Sequence, residues 1–248
     1  PFPVAISGGQ VVVDSLVRLP FPGDSGVQLP EAAFTEIDFN YNFRNDIAVA
    51  GAGGFRLYRQ NDDQTFSDIT AASGLPSASR TADYFGIWAF DADMDGDLDL
   101  LAARLEGAPV MLRNNGDDTM TGLEPFAGIT GVRQFSWADM DGDGVPEAIL
   151  LDSERVLRSY KNLRGGEFDS GTVIGEERTA IAVADLNADA QFEIISANRS
   201  GEVRSAIIDM RSGQWSEEKI ASGSPAADVP DFVNLFSADL DNNGALDL

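Results

Sequence analysis

Five segments of this chain set acidic or amide side chains at alternate positions of a nine-residue stretch: DFNYNFRND from Asp38, DADMDGDLD from Asp91, DMDGDGVPE from Asp139, DLNADAQFE from Asp185 and DLDNNGALD from Asp239. In the pattern D-x-D-x-D-G-x-x-D, the side chains at positions 1, 3 and 5 turn inward around one point. Glycine permits the sharp turn at position 6, position 7 can offer its backbone carbonyl, and position 9 closes the shell with a carboxylate. Six to eight hard oxygens at flexible geometry are what calcium takes. Magnesium prefers a tighter octahedron and keeps several waters, so it suits the pattern less well.

The five loops differ in quality. The second has Asp91, Asp93, Asp95 and Asp99 with Gly96 and, at position 7, Asp97; the third has Asp139, Asp141, Asp143 and Glu147 with Gly144 and Val145. Both match the pattern completely. The fifth, Asp239, Asp241, Asn243 and Asp247 with Gly244 and Ala245, exchanges one carboxylate for a neutral amide oxygen and is still expected to bind. In the fourth, Asp185, Asn187, Asp189 and Glu193 with Gln191 keep the oxygens, but Ala190 replaces glycine. That costs roughly 1 to 2 kcal/mol if the turn is left-handed. The first, Asp38, Asn40, Asn42 and Asp46, carries two amides and puts Phe43 at the turn, and is expected to be weak or empty. The alternative is a set of solvated acidic turns. Against it, four unneutralised carboxylates repel one another while their spacing fits a cation.

The chain is 248 residues long with 17 Lys and Arg against 41 Asp and Glu, a formal charge of −24, and it has no His and no Cys. A Ser-His-Asp triad, a cysteine nucleophile, a thiolate or imidazole zinc site and a disulfide scaffold are therefore excluded. So acidic a surface is repelled by nucleic acid and by anionic lipid. Five filled loops would bring the charge from −24 to −14, since each cation adds two, so metal accounts for much of the acidity. No run approaches the ~18 apolar residues of a membrane span. The start, PFPVAISGGQ, has no initiator Met or signal-like core, and GALDL stops inside the fifth motif, as in a piece of a longer chain attached to further domains.

The elements that must hold these loops repeat with them. The motifs begin 53, 48, 46 and 54 residues apart, and Asn61, Asn114 and Asn162 each stand 23 residues after an opening Asp. Short apolar runs such as FGIWAF, QFSWA and AIAVA precede the motifs, and LLAA, AILL and IISA follow them. Runs this short, aromatic and branched, and bounded by Gly, Asp and Asn, predict strands joined by the acidic loop. Further runs such as FRLYR and PVMLR bring the count to about four strands per ~50 residues, the spacing of propeller blades. The expected architecture is an all-β propeller region over residues 1–248, of about five repeats, with no long helix.

The strand, DxDxDGxxD loop, strand unit resembles the FG-GAP and VCBS repeat families, which include the propeller of integrin α subunits. The segments LYRQNDDQTFSDITAASGLP and MLRNNGDDTMTGLEPFAGITGV are similar to a stretch of bacterial VCBS proteins and of cartilage acidic protein relatives. The resemblance implies calcium held between the first two strands of each blade, in an extracellular, cell-surface or periplasmic setting. It also implies adhesion, recognition or scaffolding, with a protein or polysaccharide bound at one face. Two departures stand out: the first loop lacks glycine and two acids, and the Asn landmark fails after the fourth motif, where IIDMRSGQW stands. The opening VAISGGQVVVDSLVRLP resembles the second and third strands of a blade. The ends thus either close a five-bladed ring or belong to a larger propeller of roughly six to eight blades.

A noncatalytic calcium-binding recognition or scaffold module is the function these residues support. The alternative is a calcium-dependent polysaccharide lyase or glycosidase, though no carboxylate pair stands apart from the metal pattern. Asp83, Tyr84, Arg133, Arg178, Asp231 and Asn234, a few residues before each loop, are candidates for one mouth of the channel, or simply offset local charge. Phe85, Trp88, Phe90, Phe135, Trp137 and Phe236 alternate with small residues and read as core. GAGG at 51–54 reads as a turn without nucleotide-binding spacing. The stretches around Pro20, Pro22 and Gly23 and at 222–231 read as loops, the second as an insertion that contacts a partner.

Overall fold

A computed structural model of the chain describes residues 4–7, 10–13, 19–21, 29–126, 128–223, 233–240 and 246, the first two stretches by their backbone. A hairpin of β1 (Val4–Ser7) and β2 (Gln10–Val13) comes first. Four antiparallel sheets of four strands follow in chain order. The first unit is β3 (Phe34–Ile37), β4 (Asp46–Gly51), β5 (Gly54–Gln60) and β6 (Phe66–Asp68). The second is β7 (Tyr84–Phe90), β8 (Asp99–Arg104), β9 (Val110–Asn114) and β10 (Met120–Leu123). In the third, β11 (Val132–Ala138), β12 (Glu147–Asp152) and β13 (Leu157–Tyr160) are completed by β16 (Thr172–Gly175). A small hairpin of β14 (Asn162–Arg164) and β15 (Glu167–Phe168) stands between. The fourth is β17 (Arg178–Ala184), β18 (Glu193–Asn198), β19 (Glu202–Ile208) and β20 (Trp215–Ser222). Among the described residues the one α-helix, α1 (Ser77–Thr81), has five residues, and no helix is long and apolar enough to cross a membrane.

The all-β expectation and the four-strand count hold, and the acidic loops fall where the sequence places them, between β3 and β4, β7 and β8, β11 and β12, and β17 and β18. GAGG is the tight β4–β5 turn, with Gly51 opposite Gly54. Gly54 has a φ of +140°, and a Cβ there would lie 2.4 Å from the Arg80 carbonyl oxygen, so no other residue fits. Residues 22–28, most of the 222–231 stretch including Asp231, Ala127, and all but Asp239 of the fifth loop's oxygen-bearing residues lie outside the described residues.

Successive sheets pack face to face, which explains why their middle strands are apolar throughout instead of alternating. Side chains along a strand point to opposite faces. In β8, Leu100 and Ala102 face a core shared with Ile37, Ala48 and Leu57 of the first unit, while Leu101 and Ala103 face one shared with Ala148 and Leu150 of the third. In β12, Ile149 and Leu151 turn the other way, onto Ile181 and Ile194 of the fourth. β8 and β12 are thus each sandwiched between two layers.

Of the aromatics expected in the core, Phe90 is buried, and Phe85, Trp88, Phe135 and Trp137 pack half-buried against it. Trp137 meets Phe90 edge-on at 5.1 Å. Phe236 departs from the expectation, being 74% exposed. It lies in residues 233–240, which supply no strand of a described four-stranded sheet to cover it.

The first strands of units two to four share a bulge. Pairing slips between Tyr84 and Gly86, between Val132 and Gln134, and between Arg178 and Ala180, leaving Phe85, Arg133 and Thr179 as the extra residues. A bulge bends the strand and re-aims its side chain. The Arg133 guanidinium accordingly lies over the Phe85 ring, 4.6 Å from its centroid.

Candidate metal centre

The four described loops share one hydrogen-bonding scheme. The position 1 carboxylate accepts the position 6 N–H: Asp38 from Phe43 (2.8 Å), Asp91 from Gly96 (3.1 Å), Asp139 from Gly144 (2.9 Å) and Asp185 from Ala190 (2.9 Å). The position 5 side chain accepts the position 7 N–H: Asn42 from Arg44, Asp95 from Asp97, Asp143 from Val145 and Asp189 from Gln191. The acid at position 9 opens the second strand of its sheet and accepts the position 2 N–H: Asp46 from Phe39, Asp99 from Ala92, Glu147 from Met140 and Glu193 from Leu186. These are the local side-chain to backbone turns that Asp and Asn favour. They fold the loop while committing only part of each carboxylate.

The backbone meets the scheme at two left-handed positions, not one. Position 6 has positive φ whatever occupies it: Phe43 (61°), Gly96 (94°), Gly144 (80°) and Ala190 (69°). Position 4 does too, at Tyr41 (56°), Met94 (62°), Gly142 (72°) and Ala188 (59°). The fourth loop therefore carries two alanines in a conformation that costs about 1 to 2 kcal/mol each.

In the second and third loops three acids converge. One carboxylate oxygen from each of Asp91, Asp93 and Asp99, and from each of Asp139, Asp141 and Glu147, lies within 4.8 Å of the others. Asp91 Oδ1, Asp139 Oδ1 and Glu147 Oε1 are buried without a hydrogen-bond partner, as is Asn40 Oδ1 in the first loop. A buried, unsatisfied anionic oxygen costs several kcal/mol, so these atoms fit a hard cation. Asp95 and Asp143 stand outside the triads; Lys161 Nζ donates to Asp143 Oδ2 (3.1 Å) and to Asp141 Oδ2 (2.6 Å). Asn40 borders a cleft of about 400 Å3 lined also by Tyr41, Asp97 and Gly116.

Electrostatics mark the same residues. Burial pushes Asp99 and Glu147 each up to about 7, despite the N–H groups they accept, with Asp93 and Asp95, or Asp141 and Asp143, adding like charge. Burial likewise raises Asp46, Asp93 and Glu193. The hydrogen bonds to Asp141 and Asp143 raise Lys161.

The loops' repeated scheme, strand to acidic turn to strand, is matched by a family profile for the FG-GAP-like repeat over residues 38–102 and 91–150. Over residues 38–150, a little under half of the chain, the sequence is similar to the FG-GAP-like repeat. No curated protein matches the sequence. An Agrocybe aegerita lectin, solved for its specific recognition of non-reducing terminal N-acetylglucosamine, is 17% identical. It superposes with a TM-score of 0.53 over 78% of this chain and 53% of its own. BBS1N, solved in complex with ARL6DN and soaked with lead, is 13% identical with a TM-score of 0.52, over 79% of this chain and 57% of its own. The chain thus spans just over half the length of either, and the likeness is one of fold: propeller-like stacking of four-stranded sheets.

Four of the six residues proposed for a mouth, Asp83, Tyr84, Arg133 and Arg178, find separate partners around these loops. Asp83 Oδ1 accepts the Gly53 N–H (2.7 Å), and buried Tyr84 donates to the Ser79 carbonyl (2.6 Å). Arg178 is buried and paired with Glu217 (2.8 Å). Arg133 stacks on Phe85, as above. What sequence reasoning missed is the work of the Asn landmark. Asn114, buried at the end of β9, donates through Nδ2 to the Phe39 carbonyl of the first loop (3.0 Å), and Asn162 to the Ala92 carbonyl of the second (3.2 Å). Its 23-residue register was the available signal. Asn61 instead bonds to Thr65 and Ser67 in its own hairpin. In the fourth unit Asp209 caps its own turn, and Met210 lies over Gly142 of the third loop.

Proposed function

We propose that the chain is a noncatalytic, calcium-stabilised propeller module that recognises a protein or polysaccharide, or serves as a scaffold, outside the cytoplasm. The observation that carries the calcium reading is the set of buried, unpartnered oxygens on Asp91, Asp139 and Glu147, each within a converging acidic triad. When bound, calcium supplies the positive charge that lets these carboxylates stay ionised while buried. The residues that hold it are Asp91, Asp93 and Asp99 in the second loop and Asp139, Asp141 and Glu147 in the third. Asp95, Asp143 and the carbonyls of Asp97 and Val145 are available to complete each shell. The first and fourth loops bind more weakly. Their amides and non-glycine turns, and in the first the lower acid count, support that ranking.

A noncatalytic role is supported by the structural employment of the charged residues flanking the loops: Arg178 and Asp83 each serve packing or pairing instead of standing in a common cleft. Recognition is supported by the propeller-like fold shared with a glycan-recognising lectin, and millimolar extracellular calcium suits weak loops. The test is a thermal melt of wild type, Asp93→Ala and Asp141→Ala in calcium, in magnesium and in chelator, followed by a glycan array in calcium. A calcium-specific rise in melting temperature, reduced in each variant, is expected. A rise unaffected by either substitution, or equal in magnesium, removes the calcium assignment, and turnover of acidic polysaccharides removes the noncatalytic one.

A further inference from the structure

The second residue of each of the first two acidic loops is held at both ends by different units. The Phe39 N–H donates to Asp46 of its own loop (3.2 Å), while its carbonyl accepts Asn114 Nδ2 from the next unit (3.0 Å). The Asn114 backbone N–H donates in turn to Asp99 Oδ1 (2.7 Å), the closing acid of the second loop. Asp99 Oδ2 accepts the Ala92 N–H (2.9 Å), and the Ala92 carbonyl accepts Asn162 Nδ2 from the third unit (3.2 Å). Asp46, Phe39, Asn114, Asp99, Ala92 and Asn162 therefore form one hydrogen-bonded series across two unit junctions. Both amides are fixed in orientation. Asn114 Oδ1 accepts the Gly116 N–H (3.1 Å) and Asn162 Oδ1 the Arg164 N–H (2.7 Å), so each Nδ2 is aimed at the neighbouring loop. Asn114 is 2% and Asn162 3% exposed, so water does not substitute for the loop carbonyl.

We propose that this series couples cation binding in the second loop to the seating of its neighbours, with Asn162 and Asn114 as positioning residues. The inference rests on the calcium reading above. Asn162 bonds the Ala92 carbonyl only when the loop is folded, and a cation on Asp91, Asp93 and Asp99 favours that same folded loop. Two groups that select one conformation strengthen each other's binding by the same factor. Because Asp99 belongs to both the acidic triad and the series, its fixation also steadies Asn114 against the first loop.

The test follows hydrogen exchange of the full chain by mass spectrometry while calcium is titrated. Wild type, Asn162→Ala, Asn162→Asp and Asn115→Ala are compared; Asn115 bonds only within its own hairpin. The calcium concentration that half-protects residues 91–99 is expected to rise about tenfold in both Asn162 variants, the worth of one hydrogen bond. In Asn115→Ala it is expected to stay within about twofold. Reciprocally, calcium should slow exchange at 162–164 in wild type and lose that effect in Asp93→Ala, a readout that survives if the Asn162 variants fail to fold. Asn162 variants that melt earlier yet keep the wild-type half-protecting concentration assign the residue to packing alone and overturn the coupling, as does undiminished protection of 162–164 in Asp93→Ala. Absence of calcium protection at 91–99 in wild type overturns the calcium reading and the coupling with it. Protection there with unchanged variants overturns the coupling alone.

Discussion

At the scale of single residues, three loop carboxylates have two duties. One oxygen folds the turn by accepting a backbone N–H, and in Asp91, Asp139 and Glu147 the other is left buried and unpaired. This sets a pH dependence. Burial holds Asp99 and Glu147 near 7 in the cation-free fold, well above an ordinary carboxyl of about 4. A fold that binds these protons more tightly than the unfolded chain is most stable below the ordinary value, and loses that stability as pH rises through about 4 to 7. Without calcium, the denaturant midpoint is therefore expected to fall between about pH 5 and pH 7. With saturating calcium, which favours the ionised form, the fall should vanish. The left-handed turn at Ala190 makes a second prediction. Ala190→Gly should stabilise the chelated protein by about 1 kcal/mol in a urea titration, the relief of strain less the extra chain entropy of glycine.

At the scale of elements, the loops can be built because the strands on either side are fixed independently by packing on both faces. Part of that was legible in the sequence: short apolar runs such as LLAA and AILL announced strands and the acidic spacing announced the turns between them, whereas burial on both faces emerged only with the stacked sheets. The left-handed fourth position was not legible, because Tyr41, Met94 and Ala188 carry no mark of it and the turn is imposed by the hydrogen bonds on either side. Nor was the role of Asn114 and Asn162 legible, since their partners lie 75 and 70 residues away and no local rule reaches that far. Arg178 misled for a related reason: a basic residue before an acidic loop suggested either a group at a channel mouth or a solvated counter-charge, whereas β20 brings Glu217 to it in a site where the arginine side chain is only 8% exposed. Removing the buried arginine leaves a half-buried Glu217 without its partner and a gap in the packing. Arg178→Ala is expected to cost about 3 kcal/mol in denaturant stability, well beyond what an exposed pair such as Arg59 with Asp118 would forfeit.

At the scale of the whole molecule, layered sheets make stability a sum over junctions. A loop filled at about 100 times its dissociation constant adds about 2.7 kcal/mol. Two such loops rival the ~5 to 15 kcal/mol net stability of an ordinary domain. Chelation of wild type is therefore expected to lower the melting temperature by about 10 °C or more, measured by scanning calorimetry at fixed ionic strength so that screening of the −24 charge is held constant. The asparagine clasps also impose an order in time on a chain that emerges from its N-terminus. Each clasp reaches backward: the first loop is synthesised 75 residues before Asn114 arrives to grip it, and the second 70 residues before Asn162. At roughly 5 to 20 residues per second, each newborn loop waits about 4 to 15 s for its fastening. During that interval its own side-chain turns are what keep it in shape.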